Sequence, residues 1–490
     1  LEEQPGGDIL RSGEGAGKKV IHGSALRLGA NLANLVFALA TATLLLRHLG
    51  VEESGRYVTV MSLVGIAMAI VDQGLNVSAS KDLTVCPRDE RRALLENIFG
   101  QRIVVAVIAW ACLVAFALVV GYPREMVVGT ALAGLGILLV AVANSVLVPL
   151  TVDLRNAGIA MVEMLRAFIF LVGVLLLVVA GARLDAFFAL QILIGLIVIA
   201  VVPLLVDRTG VVRPRWDRVR QRALLRTALP VAAALVLGQI YFRLVIVLMS
   251  LISNAKEVGY FGGSLRAMEA LILLPILVAS VALPVMAAAA QDKDLARLKG
   301  VIEGLSEGAV IAGTLVILVT IRAADPVMRA IGGAEFEPAG TVLRIQVVAL
   351  LFIALYQIWT AALVALGRQR QLIFTNALGL LAVGVFAVSL VPPLGAKGGA
   401  IASVSADIVL AGLIYWRLHV STGRVTVRGG FLARVAVAVL AGVAVLLLPI
   451  GDIPAAVLAG IVFLGVGFAV GMVPKELRAV LGPEGLLRRG

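Results

Sequence analysis

The residues of this chain able to do chemistry are charges and amides set inside long apolar runs. Asp72, Glu163, Arg166, Arg243, Arg266, Glu269 and Asp407 each stand among aliphatic neighbours, accompanied by Asn31, Asn34 and Asn376. A charge at mid-depth in a bilayer costs on the order of 2.5–3.5 kcal/mol on insertion scales, so each needs a partner, a wet cavity or a task. At 1.5 Å rise per residue, Arg243 lies roughly 14 Å and Glu269 roughly 15 Å from the same face of the membrane, so the two are level. Two readings are open. One is an inter-helix ion pair between Arg243 and Glu269. In the other, Arg243 and Arg266 line a water-filled cavity and attract an anionic group, with Glu269 tuning them. Asp407, with Ser403 and Ser405 nearby and Asn376 one run earlier, offers carboxylate, hydroxyl and amide oxygens. Such a set suits Na⁺ or a carried proton, and equally a helix-packing hydrogen bond. Asp72, Asn31 and Asn34 are further candidates along a substrate path. Glu163 and Arg166, three apart and near a span end, can neutralise each other on one helix face.

No catalytic or metal-ligating set stands beside these residues. The three histidines, His22, His48 and His419, have no ligand partner at metal spacing, and no GxxxxGK[ST] phosphate loop occurs. The expectation is a transporter without cofactor or resident metal, driven by a Na⁺ or H⁺ gradient, the membrane potential or its substrate's own gradient.

The elements that must hold these residues follow from composition. Hydrophobic residues make up 61% of the 490 and charged ones 15%, with mean hydropathy +1.04. Apolar runs of about 18 or more residues recur, long enough to cross a bilayer as helices, and the alternation of a membrane β-barrel is absent. The reading is an all-α polytopic membrane protein of about fourteen transmembrane helices. Expected spans are 27–47, 57–79, 100–120, 126–149, 158–180, 185–206, 229–252, 259–288, 303–323, 339–366, 372–391, 398–418, 431–450 and 454–473. With both termini placed inside, 31 of the 42 Lys and Arg fall in inner segments, nine in outer ones and two (Arg243 and Arg266) within spans. That bias supports an even span count with both termini cytoplasmic.

Residues 207–226 carry seven arginines against two aspartates. This stretch cannot sit in hydrocarbon, and the spans on either side argue against a nucleic-acid patch; contact with anionic lipid headgroups suits it better. It reads as the basic cytoplasmic loop between a six-helix lobe at 25–206 and another at 227–420. Residues 1–24 read as a disordered cytoplasmic tail rather than a signal peptide, and 421–490 as two extra helices with a further tail. A weak internal repeat supports two parallel six-helix lobes. Glu53-Ser54-Gly55-Arg56-Tyr57 resembles Glu257-Val258-Gly259-Tyr260-Phe261, and the runs from Leu154 and Gly367 are also alike. Parallel repeats place the substrate path between the halves.

Two regions carry a family resemblance. Leu44–Leu83 combines a leucine-rich span, an LG, an acidic pair, a Gly-x-Tyr and an Asp-x-Gly-Leu, and Ile331–Leu418 holds IGGAEFEPAGTVLRIQ, ALVALGRQRQLI and VPPLGAKGGAIASVSADIVL. The chain thus resembles the polysaccharide (Wzx-like) flippase branch of the multidrug/oligosaccharidyl-lipid/polysaccharide exporter superfamily. That resemblance implies two rocking lobes in a bacterial-type plasma (inner) membrane. The implied cargo is a polyprenyl-pyrophosphate-linked oligosaccharide moved from the cytoplasmic to the outer leaflet, with glycan polymerase or assembly proteins as partners. Arg243 and Arg266 match the expected cationic cavity by chemistry, although no motif fixes them individually. The peptidoglycan-precursor branch uses a sodium site in its second lobe, which Asn376 and Asp407 resemble loosely. It also has basic residues in its first span, where this chain has Asn31 and Asn34, and that departure argues against its cargo. The alternative is a cation-coupled drug or metabolite exporter of the same superfamily, which predicts an acidic, aromatic-lined cavity.

Overall fold

A computed structural model describes residues 15–85, 88–152, 156–205, 214–215, 217, 236–423 and 429–472. Within them every long element is a helix and no strand occurs, which bears out the all-α expectation. The helices are α1 (Gly15–Val85), α2 (Arg88–Val119), α3 (Arg124–Val152), α4 (Asn156–Val179), α5 (Leu184–Leu205) and α6 (Val236–Ile252). They continue with α7 (Ala255–Gln291), α8 (Leu295–Gly332), α9 (Ala339–Ala365), α10 (Gln369–Thr422), α11 (Gly429–Leu446) and α12 (Asp452–Ala469). Ten of them are long and apolar enough to cross a membrane among the described residues. Large apolar side chains also point outward on most helices, Val179, Leu381 and Leu440 among them. In water such a surface would aggregate, whereas in lipid it is solvated.

The number of separate helices differs from the fourteen runs because two pairs of runs are fused. α1 continues through Gly50 (φ 71°) and α10 through Gly395 (φ 55°), each a break in helical geometry. Only glycine takes a positive φ without steric cost, so both breaks fall where the sequence supplies one. The residues after each break meet carboxylates. Arg56 pairs with Glu52 and Glu53, both at 2.8 Å, and Glu257 Oε2 accepts from the Ala396 amide at 2.7 Å, capping the second half of α10.

Packing divides the chain into two compact units: Leu1–Leu45 with Leu63–Ala232, and Leu46–Ser62 with Ala233–Gly490. In the first, α3 and α5 pack through glycines, Gly129 lying under the Phe188 ring and Gly136 against the Gln191 backbone. Small residues let backbones approach where lipid gives no hydrophobic drive between helices. Of the basic stretch, Pro214, Arg215 and Asp217 are described, and they dock on α2. The Arg215 amide donates to the Glu96 carbonyl and the Asp217 amide to Asn97 Oδ1, both at 2.9 Å, while Gly100 leaves room for the Arg215 carbonyl.

In the second unit, α7 packs on α9 through Met268, Leu343, Val347 and Leu350, joined by Met328 of α8 and Leu46 and Val51 of α1. α11 and α12 cover α8 through Phe431, Val435, Phe463 and Leu318, and Arg322 Nε binds Asp452 Oδ1 at 3.1 Å. Gly55 and Gly259, equivalent positions of the sequence repeat, meet backbone to backbone. A Cβ on Gly259 would lie 2.0 Å from the Val51 carbonyl, and one on Gly55 would lie 1.9 Å from that of Ala255. Gly259→Val is therefore expected to destabilise this unit by at least about 1–3 kcal/mol, the usual cost of overpacking. Thermal unfolding in detergent should show a lower midpoint, whereas Gly300→Ala, where a Cβ meets open space, should leave it within error.

Candidate functional site

Four helices of the second unit surround a cavity of about 50 Å³, enough for an ion with its water or for a few waters. Each contributes one helical stripe. Tyr241 and Val245 come from α6, Phe261, Leu265, Met268 and Ile272 from α7, Gln346, Ala349 and Ile353 from α9, and Ser403 and Asp407 from α10. The spacings of three and four put each set on one face of its helix.

Asp407 is 4% exposed, and Tyr241 Oη donates to its Oδ1 at 2.7 Å. Gln346 is 3% exposed, yet neither its side-chain oxygen nor its nitrogen has a partner among the described residues. The buried hydroxyl of Tyr356, one α9 turn beyond Ile353 and within electrostatic range of Asp407, is likewise without one. Buried amides and hydroxyls are almost always satisfied, so the two orphan atoms of Gln346 in the lining beside a carboxylate mark a place for a bound species. Among the described residues, the cavity lining holds no basic side chain. The oxygens of Asp407, Gln346 and Tyr241 in that lining are of the kind that holds a proton or a hard cation. Ser403 Oγ is committed to the Gly399 carbonyl at 3.0 Å.

A second group lies on two of the same helices, α6 and α7. Arg266 Nη1 donates to Glu269 Oε2 at 2.8 Å, an i,i+3 pair with 32% and 44% of the side chains exposed. Arg243 of α6 lies within electrostatic range of both and has no hydrogen bond or ion pair among the described residues. Glu269 thus pairs along its own helix with Arg266 rather than across to Arg243. Both charges are level, as counting residues indicates, but the i,i+3 neighbour wins because a shared backbone holds it in place. The group's net charge is one positive, and the Arg243 guanidinium is uncommitted among the described residues.

The remaining candidates are scattered. Asn376 lies beside Gly238, one turn from Gly379, which packs near the Tyr241 ring; it does not line the cavity. Asn34 is half-buried, and its Oδ1 has no partner among the described residues. The side chains of Asn31 and Asp72 lie outside those the structure describes. Sequence reasoning does not bring out Gln346, Tyr241 or Tyr356 as site residues, although an amide inside the tenth apolar run is a signal for Gln346.

A helical fold with ten membrane-length apolar helices among the described residues defines a multi-pass membrane protein. The family described as "Polysaccharide biosynthesis protein" matches residues 20–290, and the chain belongs to it. Among solved structures, "Lipid II flippase MurJ, inward closed conformation" is similar in fold, with TM-score 0.73 and 12% identity over 92% of this chain and 98% of that one. An inward-facing multidrug resistance MATE family transporter of the MOP superfamily gives 0.63 and 14% over 83% and 99%. A point mutant of the Vibrio cholerae MATE transporter VcmN gives 0.52 and 14% over 81% and 97%. These likenesses establish the fold. No curated protein matches the sequence.

Proposed function

We propose that this protein is a flippase that carries a polyprenyl-pyrophosphate-linked oligosaccharide from the cytoplasmic to the outer leaflet of a bacterial-type plasma membrane by alternating access, for cell-surface polysaccharide assembly. The observation that carries the reading is the Arg243 guanidinium, uncommitted among the described residues, beside the Arg266–Glu269 pair. A guanidinium presents a fixed fork of donors that matches phosphate oxygens, and in a medium of low dielectric it attracts a pyrophosphate strongly. Membership of a polysaccharide-biosynthesis family and the fold of a lipid-linked-precursor flippase support the same cargo class. The Asp407 cavity supplies the coupling: Na⁺ or H⁺ binds there and biases the lobes. Asn376 serves it indirectly, from beside α6. Both termini lie in the cytoplasm, where the basic stretch meets anionic lipid, and glycan polymerase or assembly proteins receive the cargo.

A second reading, a cation-coupled exporter of drugs or metabolites, draws on the aromatic lining of the acidic cavity (Tyr241, Phe242 and Phe261). Proteoliposomes separate the two. A fluorescent polyprenyl-pyrophosphate oligosaccharide on the outer surface becomes protected from a membrane-impermeant quencher if the protein flips it, and Arg243→Ala abolishes that protection. Uptake of a cationic dye with no movement of the glycolipid would establish the exporter instead.

A further inference from the structure

The two ends of α10 meet, and the place where they meet is basic. Arg368, the residue before α10, donates from Nη1 to Ser421 Oγ at 2.8 Å, and the Ser421 hydroxyl donates in turn to the Arg417 carbonyl at 2.7 Å. The Arg417 guanidinium carbon lies 4.6 Å from the centre of the Trp416 ring and 5.4 Å from that of Phe374. Those rings hold the cation in place but offer it no hydrogen-bond acceptor. Its Nε is buried without a partner, and no ion pair engages the group among the described residues. Arg370 is exposed nearby in sequence, and Lys299 Nζ of α8 stands at the same end, 3.3 Å from where a Cβ on Gly423 would lie. From Leu366 to Gly423 the one carboxylate is Asp407. It lies about 15 Å along the helix from Arg417. All of these residues belong to the second unit.

Apolar strips run away from this end on both halves of α10. Phe374, Leu381 and Val385 are exposed on the first, and Val409, Trp416 and Val420 on the second. Their spacing keeps each set on one helical face, and Arg417, touching Phe374 and Trp416, joins the two faces. Phe374 to Val385 spans about 16 Å, close to the chain depth of one leaflet. Aromatic rings and arginines at the end of such a strip suit the boundary between hydrocarbon and headgroups. We propose that this end of α10 binds an anionic phospholipid, its phosphodiester held by Arg417 and Arg370 and its acyl chains lying along the two strips. Lipid solvates the strips in any case; what the arginines add is a choice among lipids. A guanidinium meets a phosphate with a fork of donors, and a headgroup that carries no cation of its own leaves that pairing uncontested. Each basic residue near a membrane surface favours an anionic lipid by about fivefold. A protein seated on this face would have to bring a carboxylate to Arg417, whereas the leaflet supplies phosphate along its whole surface. The site shares no residue with the Asp407 cavity or the Arg243 group, so it stands apart from the transport reading.

The test uses the tryptophan beside the arginine as its reporter. The whole protein is reconstituted in vesicles of phosphatidylcholine with a minority of phosphatidylglycerol, and bromine, a short-range quencher, is carried by one lipid or the other at the same mole fraction. The lipid composition is thus identical in both preparations. Subtracting the Trp416→Phe signal isolates Trp416 from the other three tryptophans. The expected result is a preference of about fivefold or more for phosphatidylglycerol at Trp416, reduced to the bulk ratio in Arg417→Gln and lowered in part in Arg370→Gln. Equal quenching by the two lipids overturns the proposal, and so does a preference that survives Arg417→Gln. Quenching by neither lipid means that protein covers the face, which overturns it too. Loss of the phosphatidylglycerol signal on adding a tenfold smaller amount of a polyprenyl pyrophosphate would assign the face to that lipid instead. The comparison of the two wild-type preparations decides the matter even if a variant fails to fold, and none of these readouts depends on transport.

Discussion

Asp407→Asn is expected to abolish gradient-driven transport, by about 100-fold or more, while the protein stays folded. The asparagine oxygen can still accept from Tyr241 Oη, so the hydrogen bond now 2.7 Å long survives. In the proposed coupling, what disappears is the negative charge that draws a cation into the cavity, and with it the free energy that an ion gradient would deliver. Removing a buried carboxylate whose lining offers no countercharge among the described residues relieves a desolvation cost, so the thermal midpoint should hold or rise. The pair of measurements matters. Lost transport with a lowered midpoint would point to a packing role, and unchanged transport under both Na⁺ and H⁺ gradients would remove Asp407 from the mechanism. Gln346→Leu separates site from scaffold further: it fills similar volume and eliminates two orphan polar atoms, so the protein should gain stability and lose cation dependence.

Arg243→Ala is the second large effect. Export of the surface glycan should fall to the level of a deletion strain with normal protein abundance, because the variant removes the one uncommitted guanidinium of the group among the described residues. Arg243→Lys should restore part of it, as an ammonium keeps the charge but loses the bidentate fork. Arg266 behaves differently. It already holds Glu269 at 2.8 Å, and its loss strands that carboxylate, so Arg266→Ala should lower both export and stability. Glu269→Gln frees Arg266 and should tighten pyrophosphate binding several-fold. Weaker binding in that variant would show that Glu269 itself helps hold the cargo.

The all-helical membrane architecture was legible in the sequence because it follows from solvation. A run of about twenty aliphatic residues has no stable place but lipid, and its backbone has no stable form there but a helix. The rule that each intramembrane charge needs a task likewise brought out Arg243, Arg266, Glu269 and Asp407. Glycines at Gly50 and Gly395 permit a positive φ, yet whether a chain bends sharply or continues as one broken helix depends on what its flanks pack against. α1 and α10 each absorb two runs for that reason.

Pairing was beyond the sequence's reach. Depth along a span follows from counting residues, but the angle at which each helix faces its neighbours is set by packing, and that angle decides who touches whom. Arg266 claims Glu269 along its own helix, Tyr241 claims Asp407 from 166 residues away, and Gln346 turns an unremarkable amide toward the same cavity. The sequence by itself determined that this protein lives in the membrane as helices and which charges it must hide there. Only the tertiary structure decided that Tyr241 meets the hidden carboxylate and that Glu269 goes to Arg266, because those are facts about helix faces, and faces are chosen by the close packing of the whole unit.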